Sequence, residues 1–443
     1  MATQPILEVH MTRTRALTAA ASIAALATSA ALIAPLTAAA APSPSGNTVR
    51  FATFNASLNR FVAGQLIQHL STPGNAQASN VAEIIQRVRP DVLLINEFDY
   101  DFAGTALRLF QTNYLSVPHN GAAAIAYPYA YTAPSNTGIH SGYDLDNDGR
   151  VVSTPGSFNG YGEDALGFGD FPGQYGMAVY SKYPIDLTAV RTFQNFKWKD
   201  MPGAQLPDDA TTAAPADWYS PQEQAVLPLS SKSHWDLPIQ IGKRTVHFLA
   251  SHPTPPVFDG PEDRNGRRNF DEIRLWADYV TPGAGGYLYD DQGVRGGLEA
   301  GESFVIAGDQ NSDPLDGDSI PGSIQQLLDS SRVNTSVTPS SPGGVEAAQR
   351  QGFRNLSHRS PPAEDTADFC DTPAFPPCSG PGNLRADYVL PSADLLIRRS
   401  GIFWPTSDDP LYRLTGPGFP VPSSDHRAVW VDVKVPGASS PSR

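Results

Sequence analysis

Cysteines and charged side chains are both scarce in this chain of 443 residues. Cys370 and Cys378 are its only cysteines, so no further thiolate is available to complete a zinc site of cysteine ligands. Charged residues make up 17% of the chain, which argues against long solvated helices. Beyond residue 41 there is no internal repeat and no run apolar enough to span a bilayer. The remaining composition, 40% hydrophobic with 38 Gly and 41 Pro, predicts a globular protein rich in loops and turns.

Acidic residues outnumber basic ones by 45 to 31, which gives a net charge of −14. An acidic protein gains no long-range attraction for polyanions, so a phosphate substrate needs a local basic patch or bound metal ions. The charge therefore argues against a large nonspecific nucleic-acid footprint, although it does not exclude nuclease activity.

The N-terminus has the pattern of a secretory signal peptide. Arg13 and Arg15 form a basic start, residues 16–36 are apolar and Ala-rich, and residues 38–41 are all alanine. We expect residues 1–41 to be removed and the protein to be secreted, with a retained membrane anchor as the alternative. Loss of these residues, which also include Glu8, changes the net charge to −15. Residues 42–47 are then a linker, and residues 436–443 a disordered tail.

In an exported protein, Cys370 and Cys378 are expected to form a disulfide that closes a short Pro-rich loop. Half of a metal site is the alternative, but the chain holds no second pair of cysteines to complete it.

An acidic segment matches the first half of a calcium-binding loop, with carboxylates at alternate positions and a glycine at the turn. Its residues are Asp144, Asp146, Asp148 and Gly149. Pro155 stands where such a loop carries its bidentate Glu, and Glu163 and Asp164 are candidates to replace it. A structural Ca²⁺ site and a plain acidic turn both remain open.

The densest basic run comprises Arg264, Arg267, Arg268 and Arg274. These side chains could bind substrate phosphate. Ion pairs along one helix with the neighbouring acids Glu262, Asp263, Asp271 and Glu272 are the preferred interpretation.

Short apolar runs separated by loops predict many strands, while helices are expected at residues 81–88, 270–280 and 324–328. Polar residues with metal-binding or acid–base chemistry stand at the ends of these predicted strands. They are Asn55 at the end of residues 49–55, Glu97 after 92–95, His252 after 245–251, Asp309 and Asn311 after 304–307, Asp387 before 388–390, and Asp425 and His426 before 429–433. Each of these residues alone can be interpreted as an ordinary turn or surface residue. Their joint occurrence in this order has no such ordinary interpretation.

This order of motifs resembles the endonuclease/exonuclease/phosphatase superfamily, which has the DNase I-like fold. The most specific pieces are Ile95-Asn96-Glu97, Gly308-Asp309-Gln310-Asn311 and Ser424-Asp425-His426. The resemblance implies an α+β fold, a four-layer α/β/β/α sandwich of two packed mixed β-sheets with the site at one edge. It covers one domain at residues 48–435, with long loop insertions at 101–172, 197–235 and 313–384.

The resemblance also implies hydrolysis of phosphoester bonds with Mg²⁺, or with Mn²⁺ or Ca²⁺ in its place. Glu97 would be the main metal ligand, with Asn55 beside it and Asp425 close to the metal. Phosphoryl transfer depends more on positioning and charge neutralisation than on covalent chemistry, and oxygen ligands around a divalent cation suit that task.

The other site residues take their roles from the same resemblance. Asp309 would activate or position water and could also bind a second metal, and Asn311 would hold the phosphate. His426 and Asp387 would form a dyad, and His252 would stabilise the charge that develops on the phosphoryl group.

The chain departs from the family pattern before its central strand. Gln174, followed by Tyr175, stands where many relatives have Tyr or Glu, so the group that supports His252 is not assigned.

The sequence therefore predicts a secreted, monomeric phosphoesterase without a stable protein partner, acting on a nucleic acid or a small phosphorylated molecule. The choice between phosphodiester and phosphomonoester stays open. The alternatives are a non-catalytic secreted binding module and a lipid phosphodiesterase of the sphingomyelinase type. The last would need an exposed apolar hairpin, for which Tyr127, Tyr129 and Tyr131 are the only sign.

Overall fold

A computed structural model describes residues 47–213, 217–370, 378, 380–416 and 421–437. The predicted signal peptide lies outside these residues, as do most of the predicted linker and tail. Within the described residues, no helix has the length and apolar character needed to cross a membrane.

Thirteen strands are present in the described part of the chain. In chain order they are β1 (Thr48–Leu58), β2 (Val92–Phe98), β3 (Tyr129–Tyr131), β4 (Met177–Ser181), β5 (Arg191–Thr192), β6 (His234–Ile241), β7 (Arg244–Ser251), β8 (Ser303–Asp309), β9 (Ala367–Asp368), β10 (Asn383–Leu384), β11 (Asp387–Pro391), β12 (Leu396–Ile402) and β13 (Val429–Lys434).

The strands form two large mixed sheets and one small ribbon. The first sheet has the order β12-β13-β1-β2-β4-β3, the second has the order β11-β8-β7-β6-β5, and β9 pairs with β10. The neighbours β1 and β2 are parallel, as are β7 and β8, and the other neighbours are antiparallel.

Within the described residues, seven α-helices and several shorter helical turns connect the strands. The α-helices are α1 (Gln65–Leu70), α2 (Ala76–Val88), α3 (Thr105–Phe110), α4 (Pro221–Val226), α5 (Arg264–Val280), α6 (Gln325–Leu328) and α7 (Pro342–Gln351). A π-helical turn at Gln111–Leu115 extends α3, and 3₁₀ turns lie at Trp198–Asp200, Ala284–Tyr287, Phe353–Leu356, Pro362–Glu364 and Pro410–Leu414.

The two sheets pack face to face and bury a shared apolar core. Phe51 on β1 stacks against Phe248 on β7 with ring centroids 5.8 Å apart, and Leu94 and Trp235 belong to the same buried cluster. Full burial of one such side chain contributes about 1.5–3 kcal/mol. Because a helix layer covers the outer face of each sheet, the strands between the layers are continuous apolar runs rather than alternating ones.

The outer faces of the sheets pack against different helices. Phe54, which points away from Phe51 by strand alternation, joins Ile85 of α2 and Phe110 of α3 in a second buried cluster. On the far side, Trp276 of α5 packs with Phe304 of β8 in a third cluster. The order of layers is helix, sheet, sheet, helix, so the predicted α+β four-layer sandwich is confirmed.

The three segments predicted as loop insertions contain short elements. Residues 101–172 include α3 and β3, residues 197–235 include α4 and the first residues of β6, and residues 313–384 include α6, α7, β9 and β10.

Strand direction determines where functional side chains can meet. The carboxyl ends of β1 and β2 lie at one edge of the first sheet, and those of β7 and β8 lie at one edge of the second. The two edges coincide, because Asn96 at the end of β2 donates a hydrogen bond from Nδ2 to the carbonyl of Ser251 at the end of β7 (3.3 Å). The strands β4, β11 and β13 begin at this same edge.

Candidate active site

Asn55 and Glu97 stand together where β1 and β2 end. The parallel register pairs Asn55 with Asn96, so Glu97 follows directly beyond it. Asn55 Nδ2 donates to Glu97 Oε1 and to Asp309 Oδ2, both at 3.0 Å. Glu97 has a φ of 57°, a left-handed conformation that costs a non-glycine residue roughly 1–3 kcal/mol and is frequent at functional sites.

His252 and Asp309 are brought level by the parallel pairing of β7 and β8, in which Ala250 lies opposite Ala307. Gly308 allows this close approach. Its φ is 148°, and a Cβ atom at this position would lie 2.0 Å from the carbonyl oxygen of Ser251. No residue other than glycine fits there without displacing one of the two strand ends.

Asp309 occupies the centre of the site. Its Oδ2 atom accepts the hydrogen bond from Asn55 and lies 3.5 Å from Nε2 of both His252 and His426. Its Oδ1 atom accepts a hydrogen bond from the backbone N–H of Asn311 at 2.9 Å. Asn311 has a φ of 51°, and its side-chain amide donates to the carbonyl of Pro253 at 3.1 Å. The predicted residues Asn55, Glu97, His252, Asp309 and Asn311 therefore share one site.

His426 and Asp387 form a buried pair on the other side of Asp309. His426 Nδ1 donates to Asp387 Oδ2 at 2.8 Å, and the Thr366 hydroxyl donates to the same oxygen at 2.8 Å. Burial disfavours a charged imidazole, but the carboxylates of Asp387 and Asp309 outweigh it and raise the pKa of His426 well above its usual value. His426 is consequently held as a cation beside Asp309 at neutral pH.

His252 has the opposite character. Burial, reinforced by the charges of Lys232 and His426, lowers the pKa of His252 well below its usual value, so the imidazole is neutral. Its Nδ1 atom is buried and has no hydrogen-bond partner among the described residues. Gln174 does not support this ring, because its side chain donates to the carbonyl of Arg60 and accepts from the backbone N–H of Asp170.

The Glu97 and Asp425 carboxylates have the chemistry of a divalent-metal site. Burial, followed by the charge of Asp425, raises the pKa of Glu97 to about 7. Asp425 accepts one hydrogen bond from the Ser57 hydroxyl at 3.2 Å. A hard cation such as Mg²⁺ would relieve the repulsion between these two partly buried oxygen ligands, so the donor set fits the metal that the resemblance implies.

Asn55 presents its amide nitrogen, rather than its oxygen, to the two carboxylates, while its Oδ1 accepts from the backbone N–H of Ser57 at 3.3 Å. In this orientation Asn55 positions Glu97 and Asp309, and direct metal ligation would require its amide to flip.

A second acidic group lies close by. Asp309, Asp387 and His426 each offer a ligand atom within 4.8 Å of the others. The hydrogen bond between His426 and Asp387 already links two members of this group.

Two residues important for the site geometry were missed from the sequence. Asn96 lies inside the recognised motif, and its side-chain oxygen accepts a hydrogen bond from the backbone N–H of Asp309 at 3.1 Å. Since its side-chain nitrogen donates to the Ser251 carbonyl, the oxygen and the nitrogen of this amide both bond to the second sheet. Thr366 holds Asp387 from within the segment 313–384, and no sequence signal distinguished it.

That segment also builds one wall of the site. The backbone N–H of Asp368 in β9 donates to the carbonyl of Asp425 at 2.8 Å, and the Phe369 ring meets the His426 ring edge-on with centroids 5.2 Å apart. A groove of about 1580 Å³ opens above Glu97, Asp309 and His426. The disulfide between Cys370 and Cys378 is present and lines this groove.

The remaining predictions concern residues outside this site. Asp144 and Asp146 group with Asp164, the alternative named from the sequence, within 4.8 Å. Asp148 instead pairs with Arg150 at 2.6 Å, and calcium binding stays a prediction.

The arginine run forms internal contacts rather than facing the groove. Arg264 pairs with Glu262, and Arg274 pairs with Asp278 at 3.1 Å. Arg268 is buried and donates to the carbonyls of Leu229, Pro228 and Leu166.

Comparison with known proteins adds independent findings. The model of the endonuclease/exonuclease/phosphatase family matches residues 52–426. Among curated proteins, none matches this sequence.

Similar solved structures include three bacterial proteins. An endonuclease/exonuclease/phosphatase from Beutenbergia cavernae is 15% identical with a TM-score of 0.46, covering 88% of this chain and 72% of its own. Sphingomyelinase C from Streptomyces griseocarneus is 15% identical with a TM-score of 0.41, covering 87% and 99%. A beta toxin variant from Staphylococcus aureus with bound magnesium ions is 14% identical with a TM-score of 0.39, covering 86% and 98%.

Proposed function

Because the chain belongs to the endonuclease/exonuclease/phosphatase family, we propose that it is a divalent-metal-dependent phosphoesterase. The observation that carries the proposal is the environment of Asp309 Oδ2. This single carboxylate oxygen lies 3.0 Å from the Asn55 amide and 3.5 Å from two imidazoles of opposite charge character, beneath an open groove.

Glu97 and Asp425 would hold the metal, with Mg²⁺ as the expected ion and Mn²⁺ or Ca²⁺ as substitutes. A bound divalent ion supplies charge neutralisation at a phosphoryl oxygen. The raised pKa of Glu97 means that metal binding near pH 7 displaces a proton from this carboxyl group.

The protein groups can carry the proton and charge movements of hydrolysis. Asp309 orients the attacking water and accepts its proton as the oxygen bonds to phosphorus and the bond to the leaving group breaks. His426, held as a cation by Asp387, stabilises negative charge on the phosphoryl group, and neutral His252 donates a hydrogen bond to it. Asn311 fixes the phosphate through its amide.

The charge of the groove favours a compact substrate. Its acidic residues outnumber its basic ones, since Arg350 is the only arginine among the residues described as lining it and no lysine joins it. The acids are Glu97, Asp309, Asp313, Asp316, Asp318, Asp368 and Asp425. A long polyanion would be repelled along this surface, whereas a single phosphoester with a neutral leaving group would not.

Hydrolysis of bis-p-nitrophenyl phosphate and of p-nitrophenyl phosphate tests the proposal and separates phosphodiesterase from phosphomonoesterase action. With Mg²⁺, the wild type should hydrolyse at least one of them, and chelator should abolish the reaction. The Asp309→Asn variant should lose at least about 100-fold in rate. No hydrolysis of these compounds, plasmid DNA, RNA or sphingomyelin would favour the non-catalytic binding module, and hydrolysis that survives chelator would overturn the metal assignment.

A second candidate function, lipid phosphodiesterase, is favoured by a set of exposed aromatic side chains, which we call the aromatic rim. The rim consists of Phe61, Phe158, Phe168 and Phe258, whose exposed fractions lie between 53% and 98%. Of the three tyrosines named from the sequence, Tyr129 is exposed, whereas Tyr127 is buried and Tyr131 packs edge-on against Trp235.

One member of the rim lies at the groove, and contacts link two other members to neighbouring segments. Ser157 donates to the carbonyl of Phe61 at 3.4 Å, the rings of Phe168 and Tyr175 are 6.3 Å apart, and Phe258 lines the groove with His252. Exposed aromatic side chains of this kind insert into lipid interfaces.

Flotation with phosphatidylcholine vesicles tests this second function without requiring catalysis. Binding should be lost in a Phe158→Ser, Phe258→Ser double variant. It should persist in Leu396→Ser, because that exposed side chain lies at the opposite edge of the first sheet. Absence of wild-type binding, or equal binding by all three proteins, would remove the lipid candidate.

We also propose that the protein is exported. The Cys370–Cys378 disulfide supports this proposal, because disulfides persist mainly in oxidising compartments. Mass spectrometry of the protein from culture medium should find an N-terminus close to residue 42. Retention of the full chain inside the cell would contradict export.

A further inference from the structure

Phe369 lies where one wall of the groove meets the candidate catalytic residues. Its ring meets the His426 ring edge-on with centroids 5.2 Å apart, and His426 Nε2 lies 3.5 Å from Asp309 Oδ2. Phe369 is only partly buried and lines the groove that opens above these two residues. Partly exposed aromatic side chains around a few polar groups are typical of small-molecule sites, so Phe369 is placed to contact a bound substrate.

The backbone around Phe369 is fixed by hydrogen bonds. Its own N–H donates to the carbonyl of Gly382 at 3.2 Å, and the N–H of the preceding residue, Asp368, donates to the carbonyl of Asp425 at 2.8 Å. The next N–H, that of Cys370, donates to Asp368 Oδ1 at 3.3 Å. The ring is therefore presented from a supported position, as a contact that selects a substrate requires.

These hydrogen bonds also determine the chemistry of the wall beside His426. All three backbone N–H groups of residues 368–370 are used internally, so none of them is available to a phosphate oxygen. The carboxylate of Asp368 accepts from the Gln351 side chain through both oxygens, at 2.8 and 2.9 Å. The surface that Phe369 offers to a substrate is consequently the apolar surface of its ring.

The direction of attack determines which part of a substrate meets this ring. Water positioned by Asp309 attacks phosphorus in line with the leaving group, which departs on the opposite side. The non-bridging oxygens and, in a phosphodiester, the retained ester group lie around phosphorus between these two directions. Because His426 stabilises the non-bridging oxygens in the proposed mechanism, the ring beside it is next to the retained ester group.

This arrangement suits a phosphodiester better than a phosphomonoester. A monoester has a third non-bridging oxygen in place of the retained ester group, and an anionic oxygen against the Phe369 ring would lose hydration without gaining a hydrogen-bond donor. An apolar ester group at the same place removes apolar surface from water on both partners. An aromatic ester group gains further from ring-to-ring packing.

We propose that Phe369 is a specificity-determining residue, whose ring packs against an apolar, aromatic ester group that the phosphodiester substrate retains during hydrolysis. The inference rests on the proposed phosphoesterase function and narrows it to phosphodiesters. The competing interpretation is that Phe369 only packs against His426 and keeps that imidazole in place.

Three esters that release the same p-nitrophenolate separate these interpretations. They are phenyl p-nitrophenyl phosphate, methyl p-nitrophenyl phosphate and the monoester p-nitrophenyl phosphate. With Mg²⁺, the wild type should have its highest kcat/KM for the phenyl diester and its lowest for the monoester. Phe369→Leu should lower the phenyl-to-methyl ratio of kcat/KM by about threefold to tenfold, because the contact between two rings is lost.

Two further variants are the controls. Phe369→Tyr keeps the ring and should keep the phenyl-to-methyl ratio. Phe353→Leu should also keep it, because the exposed Phe353 ring is not among the described residues that line the groove. Thermal denaturation of each variant establishes that the comparison is made between folded proteins.

The ratio distinguishes a role in specificity from a role in supporting His426. An unchanged phenyl-to-methyl ratio in Phe369→Leu would overturn the inference, even if both rates fell together, since loss of support for His426 slows both diesters equally. A wild type that prefers the monoester would overturn it too, while leaving the proposed phosphoesterase function intact. Absence of wild-type hydrolysis of all three esters would overturn both.

Discussion

Asp309 and Asp387 lie directly opposite each other on the antiparallel strands β8 and β11, and His426 contacts both carboxylates. Two buried acids at adjacent register positions repel each other unless a cation lies between them. The imidazolium of His426 supplies that cation, which explains why its pKa is raised.

Substitution of Asp387 by Asn tests this arrangement. The variant should lose about 10²–10⁴-fold in kcat, because His426 loses the carboxylate that orients it and keeps it charged. The pKa of His426 should also fall, so activity that requires the imidazolium should be lost at lower pH than in the wild type. Full pH–rate profiles for both proteins provide the measurement.

Asp394→Asn is the matched control for this variant, because Asp394 follows the opposite end of β11 and contacts Ser303 and Ser392 far from the site. An unchanged profile for Asp387→Asn would show that the dyad has no part in the reaction.

Substitution of Gly308 by Ala should destabilise the fold. The new Cβ would lie 2.0 Å from the Ser251 carbonyl oxygen, so the ends of β7 and β8 must separate, at a cost of about 3 kcal/mol or more. Gly322→Ala is the control, since Gly322 also has a positive φ but no atom within 4 Å of the added Cβ. Equal changes in the urea-unfolding free energies of the two variants would mean that the close approach at Gly308 is unimportant.

The site residues at strand ends were predictable from the sequence, because they directly follow continuous apolar runs that form buried strands. Residues 92–95 and 304–307 are buried on both faces of their sheets, so the positions of Glu97 and Asp309 beyond them were clear. The pairing of the two sheets was implied by family resemblance alone, since a single sequence carries no direct signal for which strand edges meet.

Other elements were missed for identifiable reasons. The strand β6 contains Pro238 and the buried polar residues His234 and Asp236, which interrupt its apolar pattern. Asp236 forms hydrogen bonds with His247 of the adjacent strand β7 and with Tyr279, which is 43 residues away in sequence. The helix α2 begins five residues before the predicted start, because Asn75 caps it by accepting from the Ala78 N–H. The helix α7 begins with Pro342-Gly343-Gly344, a sequence with low helix propensity. Gly343 is needed there because a Cβ atom at this position would collide with the backbone of Trp404.

Acid stability should depend on His234, which is buried at the start of β6. Burial lowers the pKa of His234 to about 4, and its ring bonds to the Ser230 hydroxyl and the Glu272 carbonyl. The unfolded chain therefore binds more protons than the folded one between pH 6.5 and pH 4. Folding stability falls as the pH drops through that window, by on the order of 3 kcal/mol for this residue.

Urea denaturation of wild type and His234→Gln across this range measures the effect as a difference between two curves. The variant should be less stable at neutral pH and should lose less stability on acidification. Parallel curves for the two proteins would show that His234 does not control the acid response.

Removal of the disulfide should lower stability moderately. Cys370 and Cys378 close a loop with a sequence separation of 8, for which the lost chain entropy of the unfolded state amounts to about 2–3 kcal/mol. The double variant Cys370→Ser, Cys378→Ser should match the wild type in reducing agent, and reducing agent should not affect the variant. An unfolding free energy equal to that of the oxidised wild type would contradict this contribution.

The location of a bound divalent ion can be measured directly by anomalous diffraction from crystals soaked in Mn²⁺. The peak is expected within bonding distance of Glu97 and Asp425, on the side of Asp309 that faces the groove. It should disappear in Glu97→Ala crystals soaked in the same way. A peak among Asp309, Asp387 and His426 instead, or no peak at any of these carboxylates, would contradict the metal assignment on which the proposed phosphoesterase function depends.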